Sequence, residues 1–447
     1  MYRSVARVVD LTDPALNLLG GLSPEDARAR VASGDPNAIG ALDGSYALVG
    51  VDGITVRLAR SLDRPLRYFL AKEADGPVLV VADRIDAIEE WLAAHGHGDQ
   101  FHPSYTRMVP AHHVVTLRLV GCPDPAPSYV RTFTPARNAL PADLGEIGRL
   151  YVGALADEIA KWLETVPPHE PLGVCFSGGI DSGAVFLVTH HVLRRLGMSP
   201  ARLKAFTLSL GSGPPVEGPD LAQARAFLDA LGLGFFLEHV DVDSASLDPK
   251  EAVRVIEDYK PRDVESATMA LALLRGIRAR HPAWRFLLDG DGGDENLKDY
   301  PIDEIPELTI RSVVANLMLY QEGWGVGSLK HSDTYSGGQS RSCARTYAPL
   351  RACGFSGFSP FTRPRVIAVA EGIPFDALTE GCVEKLYALK GEIVSRGVEA
   401  ITGLKMPVYP KRRFQHGAGG QDVFARRFPF SEAQYRAAFL SRYLGAA

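Results

Sequence analysis

Residues 171–190, PLGVCFSGGIDSGAVFLVTH, decide how the chain is read. A short apolar run from Leu172 to Phe176 meets Ser177-Gly178-Gly179, and Ile180-Asp181-Ser182 then opens an apolar helical pattern. This order predicts strand, tight glycine turn, helix. Adjacent glycines let the backbone approach a ligand that a Cβ would repel. The first amides of the helix have no intrahelical acceptor and the helix dipole is positive there, so the turn suits phosphate or pyrophosphate. Ser177 and Ser182 add hydroxyl donors. Asp181 would repel a phosphate unless it grips a cation, and Mg²⁺ takes one or two carboxylates together with phosphate oxygens. The pattern therefore points to a magnesium nucleotide, ahead of the plainer reading of a capped glycine turn with a solvated aspartate. It is not a Walker A loop, because the lysine of GxxxxGK[ST] is missing.

Working outward, VFLVTHHVLRRLG is helical, RLKAFTLSLG a strand, DLAQARAFLDALGLG a helix and FFLEHVDVD a strand. ESATMALALLRGIRARH follows as a helix and WRFLLDGDGGDEN as a strand ending in a second glycine turn. Alternating strands and helices predict an α/β fold, a doubly wound parallel sheet with ligands at the carboxyl ends of its strands. The second turn, LLDGDGGDEN (287–296), carries Asp289, Asp291, Asp294 and Glu295 among three glycines. An EF-hand loop fails on spacing, since neither its glycine nor its twelfth-position glutamate falls in place. If both turns face one crevice, Asp294 is a second Mg²⁺ ligand opposite Asp181, and Asp291 is a positioned carboxylate acting on an amine or an adenylate. From about residue 305 the pattern is helical and irregular, with a Gly/Ser-rich loop at 325–342 that reads as a lid or a disordered stretch. KMPVYPKRRFQHGAGG (405–420) concentrates positive charge. Charge that collects on the phosphates of a bound nucleotide calls for cations, and Lys390, Lys411 and Arg412 are the candidates.

Residues 1–135 read as β-rich, from VARVVDL to HHVVTLRLVG, with one helical candidate at 86–96; a layered α+β sandwich fits. The stretch 124–142 reads as a linker, and a helix starts after Asp143. At 447 residues two domains are expected, 1–135 and 143–447. A net charge of −5 argues against a nucleic-acid-binding surface as the main feature. The five cysteines show no metal-ligand spacing, and Cys175 reads as a buried, inert thiol. The absence of an apolar leader or membrane-length run leads to the expectation of a cytoplasmic protein without membrane contact.

SGGIDS resembles the pyrophosphate loop of the N-type ATP pyrophosphatases. With AFTLSLG, PDLAQARAFLDALGLGFFLEHVDVD, LLDGDGGDEN, SPFTRPRVIAVAEGIPF, KGEIVSRG and PKRRFQHG, the chain resembles the class B asparagine synthetases. LDGSYALVGVDG and VRLARSLDRPLRYF are similar to that family's glutaminase-domain strands. The resemblance implies ATP and Mg²⁺ as cofactors, with Ser177, Gly178, Gly179, Asp181, Ser182 and Arg412 on pyrophosphate, and Leu208 and Gly290 near adenine and ribose. It implies Asp291, Lys390 and Lys411 as catalytic residues, and small-molecule or peptide carboxylates and amines as substrates. A homodimer and a separate ammonia-supplying glutaminase are compatible with it. One departure stands out: the family's glutaminases place a cysteine nucleophile after the initiator methionine, whereas this sequence has Tyr2 and its first cysteine is Cys122. The N-terminal domain is therefore expected to keep the fold without hydrolysing glutamine. β-Lactam synthetases and lasso-peptide cyclases share such a loss, but Asp291 stands where β-lactam synthetases carry tyrosine. An ammonia-dependent asparagine synthetase, a lactam- or macrolactam-forming cyclase, a sulfur-inserting or tRNA-modifying pyrophosphatase and a non-catalytic nucleotide-binding scaffold are the competing readings.

Overall fold

The computed structural model describes residues 7–74, 76–120, 126–211, 218–300, 302–304, 308–315, 346–410 and 420–444. The fold is mixed α/β, with a layered N-terminal part followed by a parallel sheet wrapped in helices. The N-terminal part contains β1 (Arg7–Asp10), a ribbon of β2 (Leu18–Leu19) and β3 (Gly44–Ser45), β4 (Ala47–Asp52), β5 (Thr55–Arg60), β6 (Arg67–Ala71) and β7 (Val78–Ala82). β8 (Arg107–Met108), β9 (His113–Arg118) and β10 (Ser128–Arg131) complete it. Two four-stranded sheets result, ordered β1-β7-β6-β8 and β10-β9-β5-β4.

Alternation along β7 explains the layering, because successive side chains leave opposite faces. Leu79 and Val81 enter the space between the sheets with Val49, Val56, Leu58, Val115 and Leu117. Val78, Val80 and Ala82 point the other way, onto Ile88 and Leu92 of the helix Ile85–Ala94. On the far side of the second sheet, Ala27 and Val31 of the helix Pro24–Ser33 cover Leu48, Ala59 and Val114. The order is helix, sheet, sheet, helix. The expectation of a single helix in this part is corrected by Pro24–Ser33. That helix buries only Ala27 and Val31, so its apolar periodicity is weak, but its caps are legible: Ser23 accepts from the Asp26 amide, Pro24 occupies the first turn, and Gly34 ends it at φ 73°. The linker expectation is corrected too. Tyr129 and Val130 pair antiparallel with Val115 and Val114, so the chain stays in the second sheet until Arg131.

Asp143 accepts from the Gly145 and Glu146 amides (2.8 and 3.0 Å) and starts the helix Leu144–Thr165. The parallel sheet comprises β11 (Leu172–Cys175), β12 (Leu203–Gly211), β13 (Leu237–Asp243), β14 (Phe286–Leu288) and β15 (Ser356–Phe358), ordered β13-β12-β11-β14-β15. β15 lies in the region expected to be helical and irregular. Its three residues, SGF, carry too little pattern to read as a strand, and the β14 edge supplies its hydrogen bonds. Leu144–Thr165, Ile180–Arg195 and Val383–Thr402 share one core, while Pro261–Arg280 covers the other face over Phe206, Leu208 and Leu287. Gly148 and Gly397 bring the helices Leu144–Thr165 and Val383–Thr402 into backbone contact, where a Cβ on either would overlap the other. From β11 the strand order runs one way to β12 and β13 and the other way to β14 and β15, so β11 and β14 flank the topological switch point, where such sheets take their ligands.

The two parts meet through both apolar and polar contacts, with Ile85 packed against Ala252, Val253 and Tyr435. Glu257 of the sheet-bearing part is fully buried and accepts from the Ile85 and Asp86 amides at the start of an N-terminal helix (2.8 and 3.1 Å), with Arg67 3.4 Å away. Among the described residues no helix is long and apolar enough to cross a membrane.

Candidate active site

The first glycine turn leaves β11 and the second leaves β14, its parallel neighbour. Gly178 takes φ +71°, and a Cβ there would stand 2.8 Å from the Ala224 backbone, so the turn is pressed against the helix Pro219–Asp229. The Ser177 amide donates to Ser182 Oγ (3.2 Å), and the Gly179 amide donates to Ser177 Oγ (3.3 Å). The two serines thus close the loop on itself. Gly179 caps the helix Ile180–Arg195 without a side chain, which leaves the first helical amides to other acceptors.

The turns touch. A Cβ on Gly290 would lie 3.0 Å from Asp181 Cβ, and one on Gly293 would overlap the Asp181 carboxylate. Between them sits Lys390, carried by Val383–Thr402 and 3 % exposed. Its Nζ donates to Asp181 Oδ2 at 2.6 Å and to Asp294 Oδ1, and lies 3.4 Å from Asp299 Oδ2. Burial works against the ammonium charge, but Asp181, Asp294 and Asp299 outweigh it and hold the lysine pKa well above its usual value. Asp299 escaped the sequence reading. The chain reaches it by turning through Lys298, whose φ of 56° has no signal in the sequence.

Asp289 and Asp291 form an acidic pair at the end of β14. The Asp291 amide donates to Asp289 Oδ1 (3.0 Å), and Asp289 is 3 % exposed, with Oδ2 buried and lacking a hydrogen-bond partner among the described residues. Burial, then the neighbouring Asp291 charge, raises the Asp289 pKa well above the carboxylate range. Burial, then the Asp289 and Asp291 charges, push the Cys175 thiol up, which makes it a poor nucleophile.

The structure thus brings together Ser177, Gly178, Gly179, Asp181, Ser182, Gly290, Asp291, Asp294 and Lys390. It does not bring the Leu208 side chain to the crevice. That side chain is 1 % exposed and packs with Val240, Met269 and Leu273, leaving only backbone to face a ligand. Lys411, Arg412, the 325–342 loop and Cys122 lie outside the described residues.

Among the described residues no group of three or more His, Cys, Asp or Glu side chains is arranged to hold a metal ion. The donor set nevertheless fits magnesium. Asp181 and Asp294 converge on one cationic point, and two carboxylates are what Mg²⁺ uses beside phosphate oxygens.

No curated protein matches the chain. Residues 166–333 match the family model of asparagine synthase, a span that takes in both glycine turns and supports ATP-dependent amidation or ligation in general.

Proposed function

We propose that the chain is an AMP- and pyrophosphate-forming amide synthetase that adenylates a carboxylate and couples it to an amine without hydrolysing glutamine itself. The observation that carries this reading is the meeting of two glycine-acid turns, from adjacent parallel strands, at the Asp181–Lys390–Asp294 cluster. A carboxylate oxygen of the substrate attacks the α-phosphorus of ATP, and the bond to the β-phosphate oxygen breaks to release pyrophosphate. An amine nitrogen then attacks the acyl carbon, AMP leaves with the bonding pair, and Asp291 takes the amine proton. Gly178, Gly179 and the first amides of Ile180–Arg195 cradle the pyrophosphate. Lys390 offsets the charge that collects on the phosphates as the bond breaks. Mg²⁺, held by Asp181 and Asp294, would supply charge neutralisation on the phosphate oxygens. The residues beyond the described set, Lys411 and Arg412, belong to the same reading as further cations.

In this reading residues 1–135 are a degenerate glutaminase-like domain and 143–447 the ligase domain. The N-terminal layering of two sheets between helices is consistent with that division.

The test is pyrophosphate release from Mg-ATP across a panel of carboxylic acids, with Asp181→Ala as control. Release that depends on one acid and disappears in the variant supports adenylation; AMP formed only after an amine is added supports coupling. If the acid is aspartate and ammonia suffices as the amine, the enzyme is an ammonia-dependent asparagine synthetase. AMP formed without added amine indicates an intramolecular cyclase. Tight nucleotide binding with no release for any acid contradicts the proposal.

A further inference from the structure

The loop between β5 and β6 of the N-terminal part is built around arginine. Arg60 Nη1 donates to the carbonyls of Ser61, Leu62 and Arg64 (3.2, 3.1 and 3.0 Å), and Arg60 Nε donates to that of Val109 (2.5 Å). This wrapping fixes Asp63, whose Oδ2 accepts from Ser45 Oγ and whose Oδ1 accepts from Ser61 Oγ, both at 2.6 Å. Asp63 Oδ2 also accepts from Arg363 Nη2 across the joint between the two parts. The pair is buried, with side chains 13 % and 5 % exposed, and Leu62, Ala111 and Ile367 form an apolar cluster at the same joint.

Arg363 belongs to the segment that supports the acidic turn. Its guanidinium lies 5.1 Å over the Phe358 ring, and the Phe358 carbonyl accepts from the Asp289 amide (3.2 Å). Two residues upstream of Arg363, the Phe361 carbonyl accepts from Asn296 Nδ2 (2.9 Å). A Cβ on Gly292 would stand 3.3 Å from both Phe361 and Thr362. The stretch 358–363 is therefore the floor under residues 289–296, and a charge from the N-terminal part anchors one end of it.

We propose that Asp63 is a positioning residue of the ligase site: by gripping Arg363 it holds segment 358–363, and with it the Asp289–Asp294 turn, in register with Asp181 and Lys390. This rests on the amide-synthetase reading for its catalytic consequence. It gives the N-terminal part a role in the chemistry of the sheet-bearing part that needs no glutamine hydrolysis.

The experiment uses the full chain and compares Asp63→Asn, Asp63→Glu and Glu257→Gln with wild type, the last loosening a different joint between the same two parts. Asp63→Asn should lower kcat for acid-dependent pyrophosphate release by about 10- to 100-fold with KM for ATP unchanged, the cost of a small misplacement at a distance from the chemistry. It should also speed amide hydrogen exchange in 286–296 and 356–363. Asp63→Glu should restore part of both, and Glu257→Gln should change neither. Wild-type kinetics and exchange in Asp63→Asn, or an equal loss in Glu257→Gln, would overturn the proposal. If wild type releases no pyrophosphate with any acid, the synthetase reading falls, while the exchange comparison still decides whether Asp63 holds the turn. Should Asp63→Asn fail to fold, Arg363→Lys takes its place: it must show the same kcat loss and exchange pattern, and wild-type behaviour there refutes the proposal.

Discussion

Replacing Lys390 by methionine keeps an unbranched side chain, one heavy atom shorter, and deletes one buried charge that three carboxylates share. At an effective dielectric of about 20, the 2.6 Å pair with Asp181 alone carries about 6 kcal/mol of Coulomb attraction, most of it offset by desolvation. Removing one partner of a buried pair costs about 3–5 kcal/mol. The Asp181 and Asp294 side chains are 21 % and 35 % exposed, so water can re-enter, and the low end, about 3 kcal/mol, is expected. The pH dependence has a definite sign. In wild type the lysine pKa is raised, so its stabilisation is complete below the ordinary lysine value and fades as pH rises above it through the folded value. The methionine variant lacks that alkaline loss. Its deficit therefore shrinks at alkaline pH, where the wild-type lysine loses its charge. Added Mg²⁺ should recover part of the deficit near neutrality by taking the place of the ammonium. Urea denaturation at several pH values, with and without Mg²⁺, reads all three effects. A variant within about 1 kcal/mol of wild type at pH 7 and indifferent to Mg²⁺, the level of an exposed surface pair, would refute the reasoning.

Gly293→Ala drives a methyl into the Asp181 carboxylate and should cut pyrophosphate release about 100-fold while the circular dichroism stays native. Gly178→Ala meets both a left-handed φ of +71° and the Ala224 backbone, so a loss of about 2–4 kcal/mol in urea denaturation is expected. Asp289 has a raised pKa, so the folded protein loses stability as pH rises from the ordinary aspartate value through the folded one. Asp289→Asn mimics the protonated acid, and its denaturation midpoint should exceed that of wild type at pH 8 and converge with it at pH 4.

The parallel sheet was legible because β11 to β14 are apolar runs separated by helices of readable period, and SGGIDS and DGDGGDEN mark where two strands end. That these turns share a crevice followed from topology alone. β15 was not legible, since three residues carry no period and its strandhood comes from the edge it completes. Asp299 and the Asp63–Arg363 pair were not legible for a related reason: one depends on a left-handed residue that glycine does not announce, the other on two side chains 300 positions apart. Lys390 could be named from its motif, but its burial among Asp181, Asp294 and Asp299 is set by tertiary packing that the sequence does not announce. Leu208 shows the opposite case, a residue placed at a ligand by likeness whose side chain belongs to the core.

The joint between the two parts is made by groups far from the segment that connects them. Glu257 caps a helix that begins at Ile85, Arg84 donates to the Val255 carbonyl at 2.8 Å, and Asp63 holds Arg363. The connecting stretch adds anchors on both sides: the Thr132 amide donates to the His112 carbonyl and Phe133 packs against His112, while the Asn138 and Leu140 amides donate to the Glu371 and Gly372 carbonyls. Covalent continuity and assembly are thus separate properties of this molecule. A gene broken between Thr134 and Arg137 would interrupt no described strand or helix, and the expected outcome is that its two products, which keep the Glu257, Arg84 and Asp63–Arg363 contacts, copurify.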